Sequence, residues 1–312
     1  LLSKGDIMKK VRYGAVILTL SLIIFVFNGC AKKPVVSYRN IKGFSAEANL
    51  QLKDFFAKTH NYKGRKIATF DMDGTVIGQA PHYLADESLY AYALKHPDRK
   101  PGLIKEMQKQ SNTSIPYVAN RVHYFAGLTP EQLEKIGNET YEKSYKGKFY
   151  PEIKKLINEL KNNGFEVWVV TASPEFIYQG FVSKALGIPK VRIVGIKSVV
   201  KDGKTSDEIM MPIAQHEGKA NAIESIIKAA PLLACGNSID DFEMIALSKG
   251  LKIIVNPNNT EKVEQLGNLT LKQYAQENHW VIVYSNDVSE KKNPQPASKK
   301  FNVRINDTNK KQ

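Results

Sequence analysis

The sequence predicts an open α/β fold with a mostly parallel sheet, and three observations predict it. Short apolar runs of strand length alternate with longer segments of helical period, the pattern of a parallel sheet covered by helices on both faces. Polar strings rich in Asp, Thr and Asn stand directly after several of these runs, where open α/β sheets present their chemistry. Residues 81–149 break the alternation: they read as helical and aromatic-rich, with Tyr83, Tyr90, Tyr92, Tyr117, Tyr124 and Phe125 and no buried-strand run, so they are expected to be a helical insertion.

Taken in order, Asn49 to His60 places Leu50, Leu52, Phe55 and Phe56 at helical spacing, and Ile67-Ala68-Thr69-Phe70 is the first buried strand. After the insertion, Glu152 to Asn162 is an amphipathic helix stopped by Asn163-Gly164, and Phe165 to Val170 is the second strand. Ser173 is expected to cap a helix whose first position is Pro174. Val191 to Val194 is a short strand, and Asp202-Gly203 within Ser198–Met211 marks a β-hairpin. Lys219 to Ala230 reads as helix, Pro231 to Cys235 as strand, Asp241 to Ser248 as helix, and Leu251 to Val255 and Val281 to Tyr284 as strands. From Asn286 onward the polar, lysine-rich composition predicts a mobile tail.

With 42% apolar and 9% aromatic residues, the 312-residue chain lies well away from the disordered class. Its net charge of +14 favours anionic surroundings or substrates, but no nucleic-acid module accompanies it, and no nucleic-acid partner is expected. Near the N-terminus, Lys9, Lys10 and Arg12 precede an apolar stretch from Gly14 to Phe27 of secretory length, followed by Asn28-Gly29-Cys30. The arrangement resembles a bacterial lipoprotein signal, with Cys30 as the lipidated residue; an uncleaved anchor helix is the alternative. Phe27 and Asn28 depart from the small residues such a site favours. Either way the remaining chain is expected in the cell envelope, tethered to a membrane. Cys235, the other cysteine, then has no partner and reads as a small buried hydrophobe.

The chemistry-bearing strings are four. Asp71-Met72-Asp73-Gly74-Thr75 sets two carboxylates at i and i+2 just past a strand. One can attack an electrophile while the other handles a proton, provided a cation offsets a repulsion of roughly 4 kcal/mol at about 4 Å. Thr171-Ala172-Ser173 offers a hydroxyl and amides at a helix start, where a phosphate oxygen binds. His216-Glu217-Gly218-Lys219 brings a lysine, and Gly236-Asn237-Ser238-Ile239-Asp240-Asp241 follows another apolar strand. Alone, each has a plain structural meaning: a turn, a helix cap, a surface lysine, an Asx-capped loop.

Together, in this order, they resemble the four motifs of the haloacid-dehalogenase-like (HAD) superfamily, over roughly residues 64–257. The resemblance implies a Rossmann-like core from 46–80 and 150–285 and a helical cap at 81–149, as in the phosphoserine-phosphatase-like branch. The signal at 1–30, a tether at 31–45 and the tail at 286–312 complete the expected organisation. It implies a Mg²⁺-dependent phosphomonoesterase acting on a small-molecule phosphate ester. Asp71 would be the nucleophile, Asp73 the acid and base, and Thr171, Ala172 and Lys219 the holders of phosphoryl oxygens. Asp71, Asp73, Asn237 and Asp241 would hold the Mg²⁺. Asn237 departs from the usual aspartate, which predicts a weaker metal site, with Asp240 a nearby source of the missing charge. It also motivates the alternative of a non-catalytic envelope lipoprotein that retains the fold.

For the leaving group, His82, Tyr83, Tyr90 and Tyr124 are candidates to surround a quaternary ammonium, as phosphorylcholine would demand, or simply to pack a helical core. Arg121 is either a partner for a substrate carboxylate or a surface arginine. The sequence is silent on oligomeric state.

Overall fold

The computed structural model describes residues 38–287 and 297–304. The signal-like segment with Cys30 and the first part of the tether, 31–37, lie outside the described residues, as do 288–296 and 305–312. No helix among the described residues is long and apolar enough to cross a membrane.

Helix α1 (Ala46–Thr59) leads into β1 (Ile67–Phe70), all four residues of which are buried. Four helices follow: α2 (Leu84–Lys95), α3 (Pro101–Met107), α4 (Ile115–Phe125) and α5 (Pro130–Thr140). Helix α6 (Pro151–Asn162) returns the chain to β2 (Glu166–Pro174), and α7 (Glu175–Leu186) to β3 (Ile193–Lys201). The hairpin strand β4 (Lys204–Met210) is next, then α8 (Glu217–Ala222), β5 (Leu233–Gly236), α9 (Phe242–Ala246) and β6 (Leu251–Val255). A two-stranded ribbon of β7 (Lys262–Val263) and β8 (Leu269–Thr270) precedes α10 (Leu271–Glu277), β9 (Val281–Val283) and α11 (Ala297–Lys300).

The main sheet has seven strands in the order β4-β3-β2-β1-β5-β6-β9. Every neighbouring pair is parallel except β3–β4, which closes one edge. Strand β1 is central: Phe70 lies in register with Val169 of β2 on one side and Cys235 of β5 on the other. The chain winds outward from β1 first through β2 and β3, then through β5, β6 and β9. The crevice between the carboxyl ends of β1 and β5 is therefore the switch point at which such sheets bind ligands.

The predicted hairpin is present, with Asp202 and Gly203 at φ +50° and +74°, as a tight turn matched to twisted strands requires. Three expectations need correction. Ser173 does not cap α7; β2 runs through it to Pro174, and the Ser173 hydroxyl is spent on Asp73 instead. The helix expected to reach Ala230 is regular only to Ala222, continues as a π-helical turn to Ile227 and stops at left-handed Lys228. Residues 286–287 and 297–304 are not a free tail. The Ala297 amide and the Ser298 amide and hydroxyl all donate to buried Glu87 of α2 (2.7, 3.0 and 2.9 Å), and Phe301 stacks on Tyr90 (4.8 Å). Composition missed this because a local polar average cannot register a single buried carboxylate that collects three donors.

Candidate active site

The turn after β1 is built by converging amides. Those of Val76 and Ile77 both donate to the Met72 carbonyl, and Gly74 donates to Ile77 (2.8 Å) at φ +88°. A Cβ on Gly74 would stand 2.4 Å from the Asn237 side chain, so only glycine lets the β1 and β5 loops meet. The Asp71 amide donates to the Cys235 carbonyl (2.9 Å), which extends the β1–β5 pairing to the first carboxylate.

Lys219 arrives from the opposite side. A Cβ on Gly218 would lie 1.7 Å from the Ile213 carbonyl, so the chain doubles back tightly before α8 and turns Lys219 inward. Its ammonium donates to Asp71 Oδ1 (2.6 Å) and Asp241 Oδ1 (2.5 Å), and all three side chains are buried. Burial alone would lower the lysine, but the two carboxylates outweigh it and hold the ammonium above its ordinary range. Asp71 is pushed up to about 7, first by burial and then by the charge of Asp241, with Lys219 opposing.

Asp73 accepts from the Ser173 hydroxyl (2.8 Å) and from the Tyr178 hydroxyl (2.8 and 2.9 Å to its two oxygens). Burial raises it, and these hydrogen bonds restrain the rise. Thr171 accepts from the Ser173 amide at Oγ1 (3.2 Å), so its own proton is left to face the cavity it lines.

Asp241 is held through both of its carboxylate oxygens. Oδ1 takes the lysine, and Oδ2 accepts from the amides of Asn237 (2.9 Å) and Ser238 (3.1 Å), so it orients Lys219 and ties the β5 loop. Asp240 is engaged by Gln215 Nε2 (3.2 Å) and His216 Nδ1 (3.1 Å). Asp71 Oδ2 and Asn237 Oδ1 share the one proton of the Thr75 hydroxyl (2.9 and 3.1 Å). A single proton serves one acceptor at a time, so an oxygen lone pair remains for a cation. With the Asp73 main-chain carbonyl this is an all-oxygen set, chemically suited to Mg²⁺. It contains too few carboxylates to form a cluster, and no group of three His, Cys, Asp or Glu residues fit to hold a metal occurs among the described residues.

These groups line a cavity of about 450 Å³, with Ala172 and Tyr83 on its wall. Three leaving-group candidates are elsewhere. His82 is buried outside the lining, its Nδ1 3.2 Å from the Arg304 carbonyl. Tyr90 pairs with Tyr117 through their hydroxyls (3.1 Å), and Tyr124 packs on Phe125. They pack the helical layer, as aromatics at helical spacing commonly do. Arg121 is not a surface arginine, and it lines the cavity. It is 3% exposed, donates Nε to Asp86 Oδ1 (2.7 Å) and lies over the rings of Tyr83 and Tyr117 (5.3 and 5.0 Å). Sequence reasoning missed Thr75, Tyr178 and Arg304. Thr75 stood inside a motif already singled out; Tyr178 and Arg304 carry no local signal.

Cys235 is free and fully buried, its thiol pushed up by burial, which leaves it inert.

The model of the haloacid dehalogenase-like hydrolase family matches residues 68–246, more than half of the chain. This chain therefore belongs to that family and is a hydrolase. Protein ML2424 of Mycobacterium leprae (strain TN), named no more closely than as a hydrolase, is 24% identical over 229 residues, spanning 69% of this chain and 71% of its own. Two solved structures share the fold. A conserved protein of unknown function from Anaerococcus prevotii superposes with a TM-score of 0.59 at 15% identity, covering 79% of this chain and 96% of its own. One from Bordetella pertussis, also of unknown function, gives 0.55 at 16%, covering 71% and 99%.

Proposed function

We propose that this chain is a Mg²⁺-dependent phosphomonoesterase that works through a phosphoryl-enzyme intermediate on Asp71. The observation that carries the reading is the buried bridge of Lys219 between Asp71 and Asp241. One ammonium against two carboxylates, with Asp73 beside them, leaves an anionic site that holds a nucleophile and demands a cation.

An Asp71 oxygen attacks phosphorus, and the P–O bond to the leaving group breaks. Asp73, whose carboxyl burial raises above its ordinary range, gives its proton to the departing oxygen. Asp73 then takes a proton from water, which attacks the same phosphorus, releases inorganic phosphate and restores the Asp71 carboxylate. Lys219 and the Thr171 hydroxyl hold phosphoryl oxygens, and Ser173 and Tyr178 keep Asp73 aimed. Mg²⁺, held by Asp71, Asn237 and the Asp73 carbonyl, would supply charge neutralisation between nucleophile and phosphate.

The test is turnover of p-nitrophenyl phosphate by residues 31–312, with Mg²⁺ and with chelator. Turnover should require Mg²⁺ and fall at least about a thousandfold in Asp71→Asn. Full activity in that variant would sink the intermediate. Absence of Mg²⁺-dependent turnover would favour a non-catalytic envelope protein, the reading motivated by Asn237. We also infer membrane attachment through lipid on Cys30. Labelled palmitate should enter the exported protein and be lost in Cys30→Ser; equal labelling of the two would reject the anchor.

A further inference from the structure

Helix α2 starts without a side-chain cap of its own: Tyr83, at its N-terminal boundary, makes no capping hydrogen bond. The amide of Ala85, the second helical residue, has no intrahelical acceptor and must find one elsewhere. It finds one on the core. The Ala85 amide donates to the Tyr178 hydroxyl oxygen of α7 (3.2 Å), and both residues are buried. The same hydroxyl donates to Asp73, 2.8 and 2.9 Å from its two carboxylate oxygens. A phenol carries a single proton. With the Ala85 amide on a lone pair, that proton is left to Asp73, so one oxygen atom joins the insertion to the carboxyl.

The junction around Tyr178 is tight. A Cβ on Gly137 of α5 would lie 1.8 Å from the Ile177 carbonyl, and one on Gly180 would lie 2.5 Å from Glu134 Cγ. The insertion therefore rests directly on the turn of α7 that carries Tyr178. Residues 297–304 seat α2 as well. Glu87, two positions after Ala85, collects the amides of Ala297 and Ser298 and the Ser298 hydroxyl. Phe301 stacks on Tyr90 of the same helix, and the ring of His82, just ahead of it, meets the Arg304 carbonyl.

We propose that Tyr178 is a positioning residue for the acid step, set by the insertion and by residues 297–304. These residues seat α2, the Ala85 amide of α2 fixes the Tyr178 hydroxyl, and the hydroxyl fixes Asp73. Asp73 then delivers its proton to the ester oxygen as the P–O bond breaks. The proposal rests on the reading of Asp71 as the phosphoryl acceptor, and adds to it a dependence on residues far from the reacting atoms.

The experiment compares kcat/KM, which covers the steps up to departure of the alcohol, for ethyl phosphate and p-nitrophenyl phosphate. Ethoxide needs a proton to leave, whereas p-nitrophenolate departs as an anion, so a misplaced acid penalises the ethyl ester more. Tyr178→Phe keeps its ring against Phe181 (centroids 5.2 Å) and should lower ethyl phosphate at least about tenfold further than p-nitrophenyl phosphate. Adding Tyr178→Phe to Asp73→Asn should leave the ratio where Asp73→Asn put it, because no acid remains to be placed. Glu87→Gln gives the three donors a single acceptor oxygen, and should move the ratio the same way by about threefold. Equal losses for the two esters in Tyr178→Phe, or a Tyr178 effect that persists without Asp73, overturn the positioning role. An unchanged ratio in Glu87→Gln overturns the dependence on residues 297–304. A parent that hydrolyses neither ester fails as a phosphatase, and the positioning role falls with it; a parent that hydrolyses both, with a ratio Tyr178→Phe leaves unmoved, keeps the enzyme and loses only the role of Tyr178.

Discussion

Two buried charge clusters face one another across this molecule, and they are built on opposite principles. At the sheet, one ammonium, Lys219, is shared by two carboxylates, so negative charge remains uncompensated among buried side chains. In the helical insertion, Arg121 meets Asp86 one to one at 2.7 Å, with Tyr117 donating to the same carboxylate oxygen (3.0 Å) and aromatic rings against the guanidinium. Burial opposes ionisation in both places. Only the sheet cluster is left imbalanced, and the imbalance makes Asp71 both a raised carboxylate and a site that attracts a cation. The contrast teaches that buried charge by itself marks nothing; the unmatched remainder marks the chemistry.

Removing the lysine should have the largest effect. Lys219→Met leaves Asp71 and Asp241 buried without a cation, and is expected to abolish phosphatase turnover and to cost about 3–5 kcal/mol in denaturant unfolding. Wild-type stability in that variant would mean that the cluster is hydrated. Breaking the matched pair should cost a similar amount: Arg121→Met alone is expected to lose about 3–5 kcal/mol. Combined with Asp86→Leu it should recover most of that loss, because an apolar pair of like volume replaces a balanced ion pair. A double variant as unstable as the single one would show that the pair is not self-contained.

A finer change sharpens the comparison at the metal position. Asn237→Asp adds a charge to the already anionic cluster, and the Mg²⁺ concentration for half-maximal activity should fall about tenfold. No change in that concentration would remove Asn237 from the metal's surroundings.

The smallest effect belongs to a surface pair that serves as a control. The Arg65 guanidinium donates twice to Glu166 (2.9 and 2.8 Å) and holds its carboxyl below the ordinary range. A lowered carboxylate contributes stability above its unfolded pKa near 4.5, and that stability is lost as pH falls through the folded value. Glu166→Gln should therefore flatten the unfolding free energy between about pH 5 and 3, by no more than about 1 kcal/mol, and less at high salt. An unaltered pH profile would leave the pair without measurable weight.

Much of this was legible along the chain, for identifiable reasons. Strands such as Ile67–Phe70 and Leu251–Val255 are short, wholly or largely apolar and bounded by polar residues, so periodicity and length located them closely. Boundaries slipped where a tertiary contact outbid a local signal. Ser173 has the chemistry of a helix cap, but Asp73, a hundred positions away in sequence, claims its hydroxyl. Arg121 could not be told from a surface arginine, because Asp86 lies 35 residues off on another helix.

What the amino-acid order determined by itself was the sheet, its helical interruption and the four strings at its strand ends. Those depend on side-chain type and on periods of two and 3.6 residues, which are local properties. Only the tertiary structure decided that Asp241 orients a lysine, that Tyr90 and Tyr124 fill a core, and that Arg304 turns back to wall the cavity. Each of these depends on which buried donor finds which acceptor across a long loop of chain, and that choice is made when the elements dock.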